Sequence, residues 1–339
     1  METQRRRNDS EGAVHSVDHF VISVPDLDEA ERFYEAFGLE VRRDGDRLSL
    51  HTVDSGHGWA TVISEPGPKR LQYLALGIYG DDLPVFERRI ADRGLAIPPH
   101  WASNGGGLWL AGPDGLAIQL LVADKVSPSV AAAPTDPVRR PGIGASPARS
   151  TAGRVHPRRL SHLLMFTRDV DASIAFYRDV LGLRLSDRSA DIIAFLHGAH
   201  GSDHHLIALA KSDGGGLHHS SWDVGSVHDV GLGAELMRAK GYTRGWGLGR
   251  HVLGSNYFHY VRDPWGSYAE YSFDIDFIGA DIDWPAADHP PEDSFYVWGP
   301  EPPADFVVNY ERGGAAPDAA QAGAAQAGAA QDAERSRAA

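Results

Sequence analysis

Two blocks of similar sequence, one in each half of the chain, restrict the folds that this chain can adopt. The first block begins VDHFVISVPDLDEAERFYEAFGLEV and the second begins LSHLLMFTRDVDASIAFYRDVLGLRL. A repeat on this scale indicates that one structural unit occurs twice. Four matched pairs lie 143 positions apart: His19 and His162, Asp26 and Asp169, Phe33 and Phe176, Tyr34 and Tyr177.

Each block predicts a strand followed by a helix. Asp26 and Asp169 are typical N-cap residues, and Gly38 and Gly182 suit the left-handed position at the end of a helix. The apolar residues recur at helical spacing and so share one face of each helix. They are Leu27, Ala30, Phe33 and Phe37 in the first helix, and Val170, Ile174, Tyr177 and Leu181 in the second.

The strand and helix pattern then starts again within each half. LQYLALGI precedes DDLPVFERRIADRGL in the first half, and LHHSSWDVG precedes VHDVGLGAELMRAKGY in the second. Both halves end with a glycine-containing turn and a final strand, in AGPDGLAIQLLV and VRDPWGSYAEYS. We therefore predict an α+β fold of two domains, each a pair of β-α-β-β-β modules.

The composition suggests where the domains begin and end. We predict an N-terminal domain over residues 15–123, a linker rich in Pro, Ala, Ser and Arg over 124–157, and a C-terminal domain over 158–275. Residues 276–312 form an arm, which either only packs on the domain, the simpler interpretation, or partly covers the active-site mouth or a subunit contact. The Ala/Gly/Gln repeats of 313–339 predict a disordered tail.

Charge, hydropathy and cysteine content exclude several classes of protein. The net charge of −14 argues against nucleic acid as a partner. No apolar run approaches the roughly 20 residues that span a bilayer, and METQRRRNDSEG is followed by no apolar stretch, so we expect a cytoplasmic protein without membrane association. The chain has no cysteine and 17 histidines, so a metal would be held by His, Asp and Glu.

Such residues occur where the modules of the second half start and end. His162 lies in the first strand of the third module, His218 and His219 in the first strand of the fourth, and Glu270 in the last strand. Two imidazoles and one carboxylate on one face of an iron leave three coordination positions open. Because side chains alternate along a strand, we expect His218 to face away from the site and to be structural.

The first half provides an internal comparison. The positions that match the three candidate ligands hold His19, Tyr73 and Gln119. A phenol and a neutral amide are poor substitutes for imidazole and carboxylate on Fe(II). We therefore expect one metal site per chain, in the second half.

Taken together, these features resemble the type I extradiol ring-cleavage dioxygenases of the vicinal oxygen chelate superfamily. The resemblance covers about residues 15 to 275 and is carried by LSHLLMF, LHHSSW and YVRDPWGSYAE, in which Glu270 follows Asp263 by seven positions. It implies that His162, His219 and Glu270 bind Fe(II), a ligand set that also accepts Mn(II).

Three further residues match positions of that family. They are His205 in HHLIALA, His251 in the run GRH, and Tyr260, nine residues after His251. The resemblance implies that His205 is the acid/base residue and that His251 and Tyr260 hold the substrate oxygens. His205 lies one residue nearer to His219 than the family spacing, so His204 is an alternative to His205.

The expected function is extradiol cleavage, with O2, of a catechol-type or related dihydroxylated aromatic ring in aromatic catabolism. By resemblance we also expect a homo-oligomer. One alternative is a glyoxalase-like, metal-dependent isomerase, which would use Ni or Zn and consume no O2. Another is a non-catalytic small-molecule binding protein of the same fold. The sequence does not specify which aromatic diol or hydroquinone is cleaved.

Overall fold

Two mixed β-sheets, one in each half of the chain, form the framework of the protein. The computed structural model describes residues 12–135 and 140–312. The first half contains β1 (Ser16–Val24), α1 (Leu27–Phe37), β2 (Glu40–Asp44), β3 (Arg47–His51), β4 (Gly58–Ser64), β5 (Arg70–Ile78), α2 (Leu83–Asp92), β6 (Leu108–Ala111) and β7 (Ala117–Val122). Its sheet has the strand order β2-β3-β4-β1-β5-β7-β6.

The second half contains β8 (Arg159–Thr167), α3 (Val170–Asp179), β9 (Arg184–Ser189), β10 (Ile193–His197), β11 (Ser202–Asp203), β12 (Ile207–Lys211), β13 (Gly216–Asp223), α4 (Val227–Ala239), β14 (Gly245–His251), β15 (Tyr257–Arg262) and β16 (Tyr268–Phe273). The arm adds β17 (Phe277–Ile278), β18 (Ala287–Asp288), α5 (Pro291–Ser294) and β19 (Tyr296–Trp298). The larger sheet has the order β18-β9-β10-β12-β8-β13-β16-β15-β14-β19, and β11 pairs separately with β17.

Local sequence explains how the first helix of each half starts and ends. The side chain of Asp26 accepts a hydrogen bond from the backbone N–H of Glu29, and Asp169 does the same for Ala172. Gly38 and Gly182 have φ values of 98° and 73°, in the left-handed region that glycine adopts at little cost. The predicted caps and apolar helix faces are therefore confirmed, and the faces pack into the core.

The predicted α+β fold of paired modules is confirmed, but the second module is shorter than predicted. After α2 it has only β6, β7 and a single bridge between Ala96 and Leu110. Ile97 donates to the Trp109 carbonyl, and then Pro98 and Pro99 follow. Proline has no N–H to donate, so the third strand of this module cannot extend.

Each half has two β-bulges at matching places, and these matter for the site. On β1 and β5 the extra residues are Asp18 and Gln72, and on β8 and β13 they are Ser161 and His218. A bulge inserts one residue into a strand and breaks the alternation of side chains between the two faces. Neighbouring residues at these points can therefore face the same side of the sheet.

The two halves share one hydrophobic core. The rings of Phe37 and Tyr271 stack across the boundary with centroids 3.9 Å apart, and the Tyr271 hydroxyl donates to the Phe37 carbonyl. Lys69 of the first half forms a buried ion pair with Asp263 of the second. The halves are therefore held together by apolar packing and by a paired buried charge.

The segment predicted as a linker is mostly exposed where the structure describes it. Within its described part, residues 124–135 and 140–157, the only helix or strand is one 3-10 turn, Arg149–Thr151. The domain boundaries stay a prediction, and residues 313–339, predicted to be a disordered tail, lie outside the described residues. Among the residues described, no helix combines the length and apolar character needed to cross a membrane.

Candidate metal centre

Three adjacent strands of the larger sheet bring His162, His219 and Glu270 together. The residues lie on β8, β13 and β16, which are neighbours in the sheet, and all three side chains are buried. The Nε2 atoms of His162 and His219 are 3.3 Å apart. Glu270 Oε2 lies 3.3 Å from His162 Nε2 and 3.6 Å from His219 Nε2.

This triangle of donor atoms has the size that one metal ion requires. Donors held about 2.1 Å from an ion at right angles would be about 3.0 Å apart. Glu270 Oε2 is buried without a hydrogen-bond partner among the described residues, which is costly for a carboxylate unless a cation is present. Burial raises the pKa of Glu270, but interactions with His162, His251 and Ser221 together outweigh burial and hold the pKa below its ordinary value, so the group is an anion. The donors therefore fit a divalent cation.

A hydrogen-bond chain through His218 orients the ring of His219. His218 Nε2 lies 2.8 Å from the carbonyl oxygen of Phe306, so this nitrogen carries the proton and donates. Burial lowers the pKa of His218 to about 4, so its Nδ1 is an acceptor. That atom is 2.7 Å from His219 Nδ1, which must donate. The lone pair of His219 is thereby left on Nε2, toward Glu270.

The ring of His162 is held in a similar way. Its Nδ1 lies 3.2 Å from Ser161 Oγ, and the Ser161 hydroxyl donates to Asp203 Oδ2 at 2.8 Å. Arg159 donates to both oxygens of Asp203. Because the hydroxyl proton goes to Asp203, Ser161 accepts from His162, and the His162 lone pair is on Nε2.

The expectation that His218 faces away from the site is wrong. His218 is the extra residue of the β13 bulge, so its ring turns to the same side as His219 and borders the same cavity. Ser161 owes its position beside His162 to the β8 bulge. The alternation rule applies to regular strands and fails at these two residues.

A cavity of about 260 Å³ opens beside the three donors. One side is polar, with imidazole rings, Asn256 and the Tyr260 phenol. The remaining wall is mostly apolar, and the arm contributes part of it. The apolar lining comprises Leu164, Ile192, Ile193, Phe195, Ala210 and Leu253, together with Pro291, Phe295, Phe306 and Val307 from the arm. The arm therefore lines the cavity as well as packing on the sheet, so the interpretation of packing alone is incomplete.

His205 lines the cavity, and His204 does not. The ring of His205 lies 4.0 Å from that of His162, measured between centroids. His204 is fully buried behind it and directs Nε2 to Asp187 Oδ2 at 2.9 Å. Burial lowers the pKa of His205 well below 6.5, so its ring is neutral. Of the two alternatives, His205 is therefore the one that borders the cavity.

His251 and Tyr260 form a directed pair at the cavity wall. His251 Nδ1 lies 3.0 Å from the Phe295 carbonyl, to which it donates, and its Nε2 lies 2.9 Å from the Tyr260 hydroxyl. Burial lowers the pKa of His251 and raises that of Tyr260 well above 10, so both groups are neutral. The Tyr260 hydroxyl therefore donates to His251.

The sequence prediction missed Asn256 and the residues that orient the three rings. Asn256 donates to Glu270 Oε1 at 3.3 Å and to Ser272 Oγ at 2.9 Å, which fixes the plane of the carboxylate. It lies in the turn between β14 and β15, where GSNY would be taken as loop sequence. The available signal was that His162 and His219 each follow a polar residue, Ser161 and His218.

In the first half the matching positions form no such centre. His19 Nδ1 pairs with Asp18, and its Nε2 is 3.5 Å from the Tyr73 hydroxyl. The Gln119 amide donates to the carbonyls of Gly105 and Gly106. Among the described residues, only the group of His162, His219 and Glu270 brings three potential ligands within 4.8 Å of one another.

Comparison with known proteins agrees with this architecture. The family model described as Glyoxalase/Bleomycin resistance protein/Dioxygenase superfamily matches residues 16–120 and 159–271. Metapyrocatechase 2 from Cupriavidus necator is 48% identical over 305 residues, 88% of this chain and 93% of the relative. An iron-dependent extradiol dioxygenase from Rhodococcus jostii is 34% identical over 131 residues, 35% of this chain and 42% of the relative.

A solved structure has the same fold at low sequence identity. The Mn(II)-bound glyoxalase from Novosphingobium aromaticivorans superposes with a TM-score of 0.68 at 24% identity, over 86% of this chain and 93% of that one. Both halves match the family model, and the metapyrocatechase is similar over nearly the whole chain. The chain therefore belongs to the Glyoxalase/Bleomycin resistance protein/Dioxygenase superfamily.

Proposed function

We propose that the protein is an extradiol dioxygenase that opens a catechol-type or related dihydroxylated aromatic ring with O2, in aromatic catabolism. The observation that carries this proposal is the three-donor centre, which is open on one side to a cavity with mostly apolar walls. Three protein donors leave room for other ligands. The similarity to the metapyrocatechase over 93% of its length supports the same reaction.

The cofactor is Fe(II), and Mn(II) fits the same donors. We propose that His162, His219 and Glu270 hold it. When bound, the metal acts as a Lewis acid that lowers the pKa of the diol hydroxyls and brings the ring and O2 together. Ser161 and His218 keep both imidazole lone pairs directed at it, and Asn256 keeps the carboxylate in place.

Next to the diol, we propose that His205 is the acid/base residue. It is neutral and lies against His162, within reach of a ring held at the centre. His251 and Tyr260 hold the substrate oxygens, because the pair borders the same cavity. The apolar walls formed by Leu164, Phe195 and Phe295 receive the aromatic ring and keep water away from it.

The other two functions are less well supported. A glyoxalase-like isomerase would share the fold, as the similarity to the solved glyoxalase shows. At 24% identity, however, that similarity indicates a shared fold and not a shared reaction. A metal-free binding protein would have no need of a buried carboxylate facing two imidazoles. Both alternatives predict no O2 consumption, so O2 uptake separates them from ring cleavage.

The test is an oxygen-electrode assay of the iron-loaded full chain with a panel of catechols and hydroquinones. We expect one O2 consumed for each diol lost, with a coloured ring-opened product. His162→Ala is expected to remove bound iron and activity together, because an imidazole donor is lost. His19→Ala, at the matched position of the first half, is the control and should retain both. Full activity of His162→Ala, or no O2 uptake with any diol, would contradict the proposal.

Assembly and location stay predictions. We propose a homo-oligomer by resemblance to the family and a cytoplasmic location from the sequence. Sedimentation of the purified protein would determine the number of chains.

A further inference from the structure

Behind the cavity, a buried carboxylate and a buried imidazole stand in line with His205. Asp187 Oδ2 lies 2.9 Å from His204 Nε2, and His204 Nδ1 lies 3.1 Å from His205 Nδ1. The three residues are all buried, with exposures of 5%, 0% and 3%. His205 Nε2 has no hydrogen-bond partner among the described residues.

The arm fixes the carboxylate at the far end of this line. Asp187 Oδ1 is 2.7 Å from His289 Nε2 and accepts from the backbone N–H of Ala287 at 3.1 Å. Its Oδ2 also accepts from the indole N–H of Trp284 at 3.1 Å. Burial raises the pKa of Asp187, but the hydrogen bonds from His204, His289 and Trp284 outweigh burial and hold it below the ordinary value. Asp187 is therefore an ionised acceptor.

The direction of each hydrogen bond follows from donor and acceptor chemistry. A carboxylate only accepts, so the proton of His204 is on Nε2. When His204 carries that one proton, its lone pair is on Nδ1 and faces an N–H. That N–H is then on His205 Nδ1, 3.1 Å away, and a His205 ring that carries one proton has its lone pair on Nε2.

We propose that Asp187 and His204 are positioning residues, which fix the proton of His205 on Nδ1 and present its Nε2 lone pair to the cavity. The inference rests on the proposed function, in which His205 exchanges a proton with the substrate. It also gives the arm a role in catalysis, since three of its residues hold Asp187. Only the His205 tautomer with its proton on Nδ1 can accept a proton on the cavity side. The relay, which is the hydrogen-bonded series of Asp187, His204 and His205, therefore holds His205 in the tautomer that this step requires.

Asp187→Asn tests the proposal. An amide placed there can donate to His204 Nε2, which would move the His204 proton to Nδ1 and the His205 proton to Nε2. Ring ¹⁵N NMR of the full chain loaded with diamagnetic Zn(II) reports which nitrogen of His205 carries the proton. With iron, we expect kcat to fall about 100-fold, the usual scale for a proton-transfer residue, with KM and metal content unchanged.

Asp288→Asn is the matched control. It removes the same charge from the neighbouring strand of the arm, where Asp288 accepts from the Ala190 N–H and does not contact His204. This variant should keep the wild-type tautomer and kcat. His204→Phe interrupts the relay while Asp187 stays in place. If Asp187→Asn does not fold, the His205 tautomer and kcat of His204→Phe test the proposal instead.

An unchanged His205 tautomer with an unchanged kcat, in either relay variant, would overturn the proposal. A loss of bound iron in proportion to the loss of activity would also overturn it, because Asp187 and His204 would then support the metal centre and not His205. The NMR measurement needs no turnover. If the wild type consumes no O2, the proposed function fails while the tautomer still decides the relay.

Discussion

At the scale of single residues, three of the histidines at the cavity take their orientation from the residue just before them. Ser161 holds His162, His218 holds His219, and His204 holds His205, in each case through Nδ1. The same Nδ1 contact joins Asp18 to His19 in the first half. Since Nδ1 is engaged, Nε2 is the atom left for a metal or a substrate.

This arrangement predicts that His218→Phe weakens metal binding. The phenyl ring fills the same space but accepts no proton from His219, whose ring is then free to change tautomer. We expect the metal dissociation constant to rise about 10- to 100-fold, the usual effect of removing a group that orients a ligand. Competition with a chelator measures it. Gln72→Leu, at the matching bulge of the first half, is the control, and equal affinities in both variants would contradict the argument.

Single residues also show how far the sequence could predict the site. His162, His219 and Glu270 were predicted from their places in the modules, and the resemblance to the extradiol dioxygenases added His205, His251 and Tyr260. The structure brings the first three together, and the other three line the adjoining cavity. Ser161 and His218 were not recognised because bulges bring them to the site, and a bulge leaves no periodic signal. Their roles depend on hydrogen bonds, which the spacing of residues along the chain does not encode.

At the scale of elements, the arm completes the catalytic half of the molecule. It supplies both edge strands of the larger sheet, β18 at one end and β19 at the other. Between them, α5 and the residues around Phe295 and Phe306 close part of the cavity. The sequence predicted an arm here, but its apolar residues alone did not distinguish packing from lining a cavity.

The position of Phe295 predicts an effect on selectivity. Its ring lines the cavity, is 37% exposed and lies near the mouth, so Phe295→Ala should widen the entrance. We expect kcat/KM for catechol to fall about tenfold, because apolar contact with the ring is lost, while bulkier diols are affected less. Steady-state rates with a series of diols measure this. Val297→Ala, at an exposed site outside the cavity lining, is the control. Equal losses for small and bulky diols would exclude a role in selectivity.

At the scale of the whole molecule, the two halves are unequal copies that share one core. The repeat predicted from the sequence extends to the bulges, which occur at corresponding places in both halves. The first half has Tyr73, Trp109 and Ala102 packed together where the second has its cavity. Its contribution is stability, through contacts such as Phe37 with Tyr271 and Lys69 with Asp263.

His15 lies next to the end of the last strand of the first half. Its burial predicts how the free energy of unfolding depends on pH. The ring is fully buried, and burial lowers its pKa to about 4. Between pH 6.5 and 4 the unfolded chain binds a proton at His15 that the folded chain does not, so the free energy of unfolding falls as the pH falls. The contribution is about 1.4 kcal/mol per pH unit over most of this range. Above pH 6.5 both states are neutral at His15, and it adds no further slope.

His15→Gln should therefore have a free energy of unfolding that depends less steeply on pH than the wild type below pH 6.5, by about 1.4 kcal/mol per unit. Denaturant unfolding of the metal-free chain from pH 4.5 to 7.5 measures the slope, with chelator present so that metal binding does not contribute. His228→Gln, an exposed histidine on α4, is the control and should follow the wild type. Parallel curves for His15→Gln and the wild type would show that His15 titrates alike in the folded and unfolded chains, so that burial does not lower its pKa.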